Sequence, residues 1–203
     1  MFALFSRKPP GGTLVTPRGG KPLLSVASLK LEAGKSAAEA ATLPPGVDLC
    51  AWVHAHTASA LDATECVWAT VEEGCTCPKA STAGVLEYRT SDGKGGFLTL
   101  PARLYCSRTL AAARAALCDA SVFPAEDSAG PFPAAFMPAA RKLWSRLLRV
   151  HLHSMLEHEC AVDPLVRAAF SHFFTFGKVH GLFAAEELPP LVAARVSAAC
   201  AGT

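Results

Sequence analysis

Two cysteines and three histidines carry most of the chemistry open to this chain. Cys75 and Cys77 lie in EEGCTCPKASTAG, a polar, turn-rich stretch where core packing does not explain a thiol. His151, His153 and His158 fall within eight positions in RVHLHSMLEHEC (149–160), inside what otherwise reads as a long apolar helix. Metal ligand, acid–base catalyst and half-buried helix residue compete as roles for them. The last is the commonest fate of any single His. Yet two thiols on a loop and two imidazoles on a helix make the tetrahedral donor set that structural zinc prefers, and such a clip would order the loop. His151 and His158 are seven residues apart on one helix face, about 10 Å along the axis, too far for one ion. His153 and His158 are five apart and rotated by roughly 140°. Two long imidazoles still converge from there, so geometry alone leaves the choice of His open.

Catalysis finds little support. A fourth protein ligand closes the position that a catalytic zinc keeps open. No H-E-x-x-H pattern occurs. DGKGG sits in a hairpin turn and lacks both the strand–loop–helix setting and the G-K-[ST] step of a phosphate loop. No Ser nucleophile elbow is present. Glu157 and Glu159 flank His158, but charged residues on a helix are expected to face solvent. The chain is expected not to be an enzyme.

A second feature lies upstream on the same helix. ARKLWSRLLRVH carries Arg141, Lys142, Arg146 and Arg149. Positions 142, 146 and 149 share one helix face, with Leu143, Leu147 and Val150 opposite. A solvated helix side is one reading. Like charges stacked on a stripe repel, however, and no acid offsets them before Glu157, so an anionic ligand is the other.

These groups need a frame to hold them. Residues 1–22, rich in Gly, Pro and basic residues, read as a flexible arm, and 23–203 as one domain. Helices are expected over about 24–41 and, after the break LPPGVD with Asp48 as N-cap, over about 49–71. The cysteine stretch follows as a loop. VLEYRT-SDGKGG-FLTLPARLY then signals a hairpin turned at Asp-Gly. SRTLAAARAALCDA predicts a helix capped by its Ser. The longest helix is expected over about 133–160, with Pro138 near its start. Two more are expected over about 164–180, ended by Gly181, and about 184–198. The sum is a mostly α fold, a helical bundle with a small β appendage.

Composition sets the limits. The 203 residues are enough to bury a core without staples, and 51% of them are hydrophobic against 18% charged. A net charge of +2 gives no default case for nucleic-acid binding. The opening MFALFS has no charged n-region, and no stretch approaches the ~20 apolar residues of a membrane span. A soluble, cytoplasmic protein is expected, so its eight cysteines should be thiols or metal ligands. Cys50, Cys66, Cys118, Cys160 and Cys200 lie in apolar helical patterns, where Cys acts as a small hydrophobe.

Five segments, in order along nearly the whole chain, resemble the Mob (Mps-one-binder, phocein-like) family: FALFS; LPPGVDLCAW; VFPAEDSAGPFPAAFM; RLLRVHLHSMLEH; and HFFTFGKVHGLFAAEELPPL. The resemblance implies a Mob-type bundle with a four-helix core, a small hairpin and a zinc-clipped loop. It also implies a structural zinc held by Cys75, Cys77, His153 and His158. Typical members have about four residues between the two Cys; here there is only Thr76, and Cys106 is the conceivable replacement for Cys75. His151 falls where the family has no ligand.

The resemblance further implies a non-catalytic adaptor or co-activator of NDR/LATS-type AGC kinases, and a phosphopeptide-binding cluster on the long helix. Two cluster positions correspond to Arg146 and Arg149. The third, usually Lys, is Ser145, for which Lys142 one turn away is the substitute. The kinase-facing surface at the start of the second helix maps to Val47, Asp48, Ala51, Trp52 and Ser59. Family acids are replaced there by Val47, Ala51 and Ser59, which weakens steering of a basic kinase region. A phocein-like scaffold or phosphopeptide module without direct kinase activation is the alternative. A monomer is expected, in the cytoplasm, the nucleus or at cell-division structures.

Overall fold

A computed structural model describes residues 36–125, 128, 130–158, 164–185 and 188–200. The arm expected over 1–22, most of the helix expected over 24–41, and Glu159 and Cys160 lie outside these residues.

The fold is mostly helical. Helix α1 (Ala37–Ala41) starts at a capping box in which Ser36 and Glu39 bond each other's backbone N–H. Helix α2 (Leu49–Ala69) starts where expected, with the Asp48 carboxylate accepting from the Ala51 N–H at 3.1 Å. Two short antiparallel hairpins follow, β1 (Ser81–Thr82) with β2 (Leu86–Glu87) and β3 (Arg89–Ser91) with β4 (Phe97–Thr99). Helices α3 (Ala102–Leu117), α4 (Phe136–Glu157), α5 (Pro164–Val179) and α6 (Pro190–Cys200) complete the chain. Helix α2 packs on α3, α4 and α5, and α4 also packs on α3 and α5, which makes these four the centre of the bundle.

The expected hairpin is β3–β4, with Thr90 opposite Leu98. The Asp92 carboxylate closes its turn by accepting from the N–H groups of Lys94 and Gly96. Of the first hairpin, β1 was expected to be loop, and β2 falls in the run VLEYRT, expected to be a strand of the later hairpin. The turn between β1 and β2 has both central residues at positive φ, Ala83 at 51° and Gly84 at 65°, and the Val85 N–H donates to Thr82 O at 3.0 Å.

Several boundaries differ from expectation for identifiable reasons. Helix α3 begins at Ala102, five residues before the expected Ser cap, and the Ser107 hydroxyl instead donates back to Arg103 O within the helix. Helix α6 begins at Pro190, because a helix from 184 would have put two prolines in its interior. Helix α5 ends as expected. Gly181 has φ 59°, and the Leu182 and Gly181 N–H groups donate to Gly177 O and Lys178 O, the Schellman arrangement. Cys66 and Cys118 are exposed, so the apolar pattern around them does not bury them.

Two buried polar links fix how α2 lies on α4. The Trp144 Nε1–H donates to Thr57 Oγ1, and Thr64 Oγ1 meets His151 Nε2, both at 3.0 Å. Each pair is 87 residues apart, and one pair lies seven residues on from the other in both helices. The two helices therefore run parallel. The Thr64 hydroxyl donates to Ala60 O at 2.6 Å, so it accepts from His151. His151 is thus a core residue: it is fully buried, and that burial lowers its pKa to about 3 and keeps it neutral. No described helix is long and apolar enough to cross a membrane.

Candidate metal centre

Cys75, Cys77, His153 and His158 converge, their ligand atoms all within 4.8 Å of one another. Cys75 Sγ lies 3.6 Å from His153 Nε2, Cys77 Sγ lies 3.6 Å from His158 Nε2, and the two Nε2 atoms are 3.3 Å apart. Bond lengths of about 2.3 Å to sulfur and 2.0–2.1 Å to nitrogen, in a tetrahedron, separate S from N by about 3.6 Å and N from N by about 3.3 Å. The donor set and its spacing therefore fit a zinc ion.

A continuous helix would rotate His153 and His158 by roughly 140°, a spacing that left the choice of His open. The structure settles their convergence, because His158 is not in the helix. Helix α4 ends at Glu157, and His158 is the C-cap, with φ −112° and ψ 3°. That turn frees its side chain from the helical phase.

On the loop side, Cys75 is buried and its N–H donates to Glu72 O, a turn that continues from the end of α2. The Cys77 carbonyl accepts from the Ala102 N–H at 3.1 Å, tying the second thiol to the first residue of α3. The Cys-x-Cys spacing thus has one anchor in the turn after α2 and one at the start of α3. Cys106 is fully buried but is outside the ligand cluster, so it does not replace Cys75.

The surroundings orient the ligands. His153 Nδ1–H donates to Ser81 O at 2.8 Å, which leaves the Nε2 lone pair free to coordinate a metal. Burial holds the His153 pKa below the usual range, although the bond to Ser81 works the other way, so the ring is neutral at pH 7. Burial, and then the neighbouring Cys75, push the Cys77 thiol up. A dication among these atoms reverses that preference, because a coordinating thiol gives up its proton.

Glu157 was expected to face solvent. It is half-buried, and its Oε1 accepts from the Ser81 hydroxyl at 3.1 Å and the Gly84 N–H at 3.3 Å. It holds the first hairpin against the end of α4, and so holds the carbonyl that orients His153. No local pattern announces this role, since its partners lie more than 70 residues away.

The basic stripe lines a groove of about 350 Å³. Lys142, Arg146 and Arg149 reach it from α4, with Ser145 between them. Arg149 is half-buried. Its guanidinium lies 5.6 Å from the Tyr88 ring centroid and donates to the Tyr105 hydroxyl at 3.3 Å. Arg141 is not part of the groove lining; its Nε–H donates to Gly181 O at 3.2 Å and supports the end of α5. Arg89 from β3 and Arg108 from α3 also line the groove. Neither belongs to the helical stripe, so neither was expected.

At the start of α2, Val47, Ala51 and Trp52 are buried, Ser59 is half-buried and Asp48 is the N-cap. Val47, Ala51 and Trp52 shape this surface from beneath, while Leu49 is exposed on it.

The sequence model of the Mob1/phocein family matches residues 28–191. MOB kinase activator 3A of Homo sapiens is 32% identical over 177 residues, covering 81% of this chain and 80% of that protein. The Pongo abelii protein of the same name matches at the same identity and coverage. MOB kinase activator-like 1A of Arabidopsis thaliana is 30% identical over 163 residues, 75% of each chain. With a match of that extent laid over a helical bundle and a Cys–His cluster, the chain belongs to the Mob1/phocein family.

Proposed function

We propose that this protein is a non-catalytic adaptor that binds a protein kinase and reads a phosphorylated peptide, with a structural zinc holding the reading surface rigid. The observation that carries the proposal is the convergence of Lys142, Arg146 and Arg149 on one groove upstream of a Cys–His cluster at the C-terminal end of the same helix. Guanidinium forks suit phosphate oxygens. Zinc bound by Cys75, Cys77, His153 and His158 fixes the loop against α4, and a rigid platform lowers the ordering cost of binding. The relatives' names describe kinase activators, which supports the kinase side of the proposal. On this reading the kinase faces the start of α2, around Val47, Asp48, Ala51, Trp52 and Ser59.

That surface also favours a second reading. Val47, Ala51 and Ser59 carry no charge and Asp48 is engaged as a cap, so a basic kinase segment finds little to steer it. A scaffold that reads phosphopeptides without activating a kinase follows if this surface binds no kinase.

Affinity capture from cells, followed by mass spectrometry, separates the two. Recovery of an AGC-type kinase, lost in Leu49→Asp but kept in Arg149→Ala, supports the first. Recovery of partners without a kinase, lost only in Arg149→Ala, supports the second.

A further inference from the structure

The groove on α4 holds more positive charge than one phosphate can neutralise. Arg89, Arg108, Lys142, Arg146 and Arg149 all line the same space, and no acidic side chain does. Among the described residues, no ion pair joins any of the five to an acid. Glu87, two residues before Arg89, is engaged by Lys79 at 2.6 Å and Thr99 at 2.9 Å. A phosphomonoester carries a charge of about −1.5 to −2 at neutral pH, so five cations leave about three in excess. Cations gathered in one groove repel one another, and a second anion removes that repulsion.

The cations also come from separate elements. Three stand on α4, one on α3 and one on β3. Arg89 lies 6.0 Å from the Phe97 ring centroid on the facing strand, as Arg149 lies over Tyr88. Two of the five are therefore held by aromatic rings before any ligand arrives, which reduces the entropy lost on binding.

The flanks indicate the kind of molecule that carries the anions. Lys142 and Arg146 border a second cavity of about 230 Å³ lined by Val122, Phe123 and Leu143 together with Asp119. Arg89 and Arg149 border a third of about 510 Å³ lined by Tyr88, Leu148 and Leu152 together with Glu87. Mixed apolar and acidic space on both sides of a cationic centre suits a peptide, whose side chains alternate in character. An inositol phosphate has nothing apolar to place there.

We propose that the groove takes a doubly phosphorylated peptide segment, with one phosphate gripped by Lys142, Arg146 and Arg149 and the second by Arg89 and Arg108. The proposal rests on the phosphopeptide role given above and narrows it to one class of segment. The test is fluorescence anisotropy of the full chain with zinc present, using labelled Gly/Ala/Ser nonapeptides. One peptide carries plain threonines, one a single phosphothreonine, and a series carries two phosphothreonines two to five positions apart. At least one double spacing is expected to bind ten-fold or more tighter than the single phosphopeptide, with a steeper loss in salt. Arg89→Ala and Arg108→Ala are expected to cut that advantage to about three-fold or less. The proposal is overturned if single and double phosphopeptides bind alike at every spacing while both beat the plain one. It is also overturned if the gain survives both substitutions, or if a single-stranded oligonucleotide of equal charge competes as well as the double phosphopeptide. If no phosphopeptide beats the plain one, the phosphopeptide role itself fails, a result distinct from the others.

Discussion

His158 stands one residue beyond the end of α4, and its Nε2 lies 3.3 Å from the Nε2 of His153, inside the helix. A helix that continued through 158 would point these rings roughly 140° apart. The end of the helix and the Cys–His cluster are therefore one feature.

One zinc per chain is expected, and His153→Ala should reduce it below half an equivalent. Metal binding in such sites is coupled to folding, so the melting temperature should fall by about 10 °C or more. Elemental analysis and calorimetry of chelator-free protein check both. Substoichiometric zinc in the parent, with no stability loss in the variant, contradicts the site.

The turn of the first hairpin carries one strained residue. Ala83 has φ 51°, which costs an L-residue about 1 kcal/mol and glycine almost nothing. Ala83→Gly should therefore stabilise the protein by about 0.5–1 kcal/mol in urea unfolding. Gly84→Ala should destabilise it by a similar amount, since φ is 65° there although nothing lies within 4 Å of an added Cβ. Equal effects of the same sign contradict the turn.

Acid stability has a contribution away from the metal. His56 is buried, with its ring 4.0 Å from that of Phe176. Burial, with smaller contributions from His172 and His180, lowers its pKa from 6.5 to about 3. The folded state binds this proton less readily than the unfolded one. The resulting stability is present above pH 6.5 and is lost as the pH falls from there toward 3. For one such His the loss between pH 7 and pH 5 is about 2 kcal/mol. His56→Phe should flatten the pH dependence of urea unfolding by about that amount. Parallel profiles for parent and variant contradict it.

A peptide from the basic N-terminal region of a typical NDR/LATS kinase should bind more weakly than 1 μM, that is, less favourably than about −8 kcal/mol. With Val47, Ala51 and Ser59 uncharged and Asp48 engaged as a cap, the acidic field it meets is reduced. Titration calorimetry at physiological salt decides, and sub-micromolar binding shows that contacts around Leu49 suffice.

Features set by neighbours in the chain were legible in the sequence. Asp48 caps α2, Gly181 ends α5 and Asp92-Gly93 turns a hairpin, each through bonds to nearby backbone. The choice of His153 and His158 as ligands rested on family resemblance, because helical phase alone left the choice of His open. What could not be read is what folding brings together from afar. Glu157 braces a hairpin more than 70 residues upstream, and Arg89 and Arg108 join a helical stripe from two other elements. Ser107 looked like a cap because its hydroxyl bonds the backbone, which it does one turn into the helix.

The central claim is that the α4 groove reads phosphate. Its most direct test is the affinity of the zinc-loaded protein for one phosphothreonine peptide and its plain twin at physiological salt, measured by fluorescence anisotropy. Each charge-assisted contact contributes about 1.5–3 kcal/mol. The phosphorylated peptide should bind at least ten-fold tighter than the plain one, and Arg146→Ala or Arg149→Ala should each weaken it by about ten-fold or more. Equal binding of the two peptides, or unchanged binding in both variants, would mean that Lys142, Arg146 and Arg149 form only a solvated helix face.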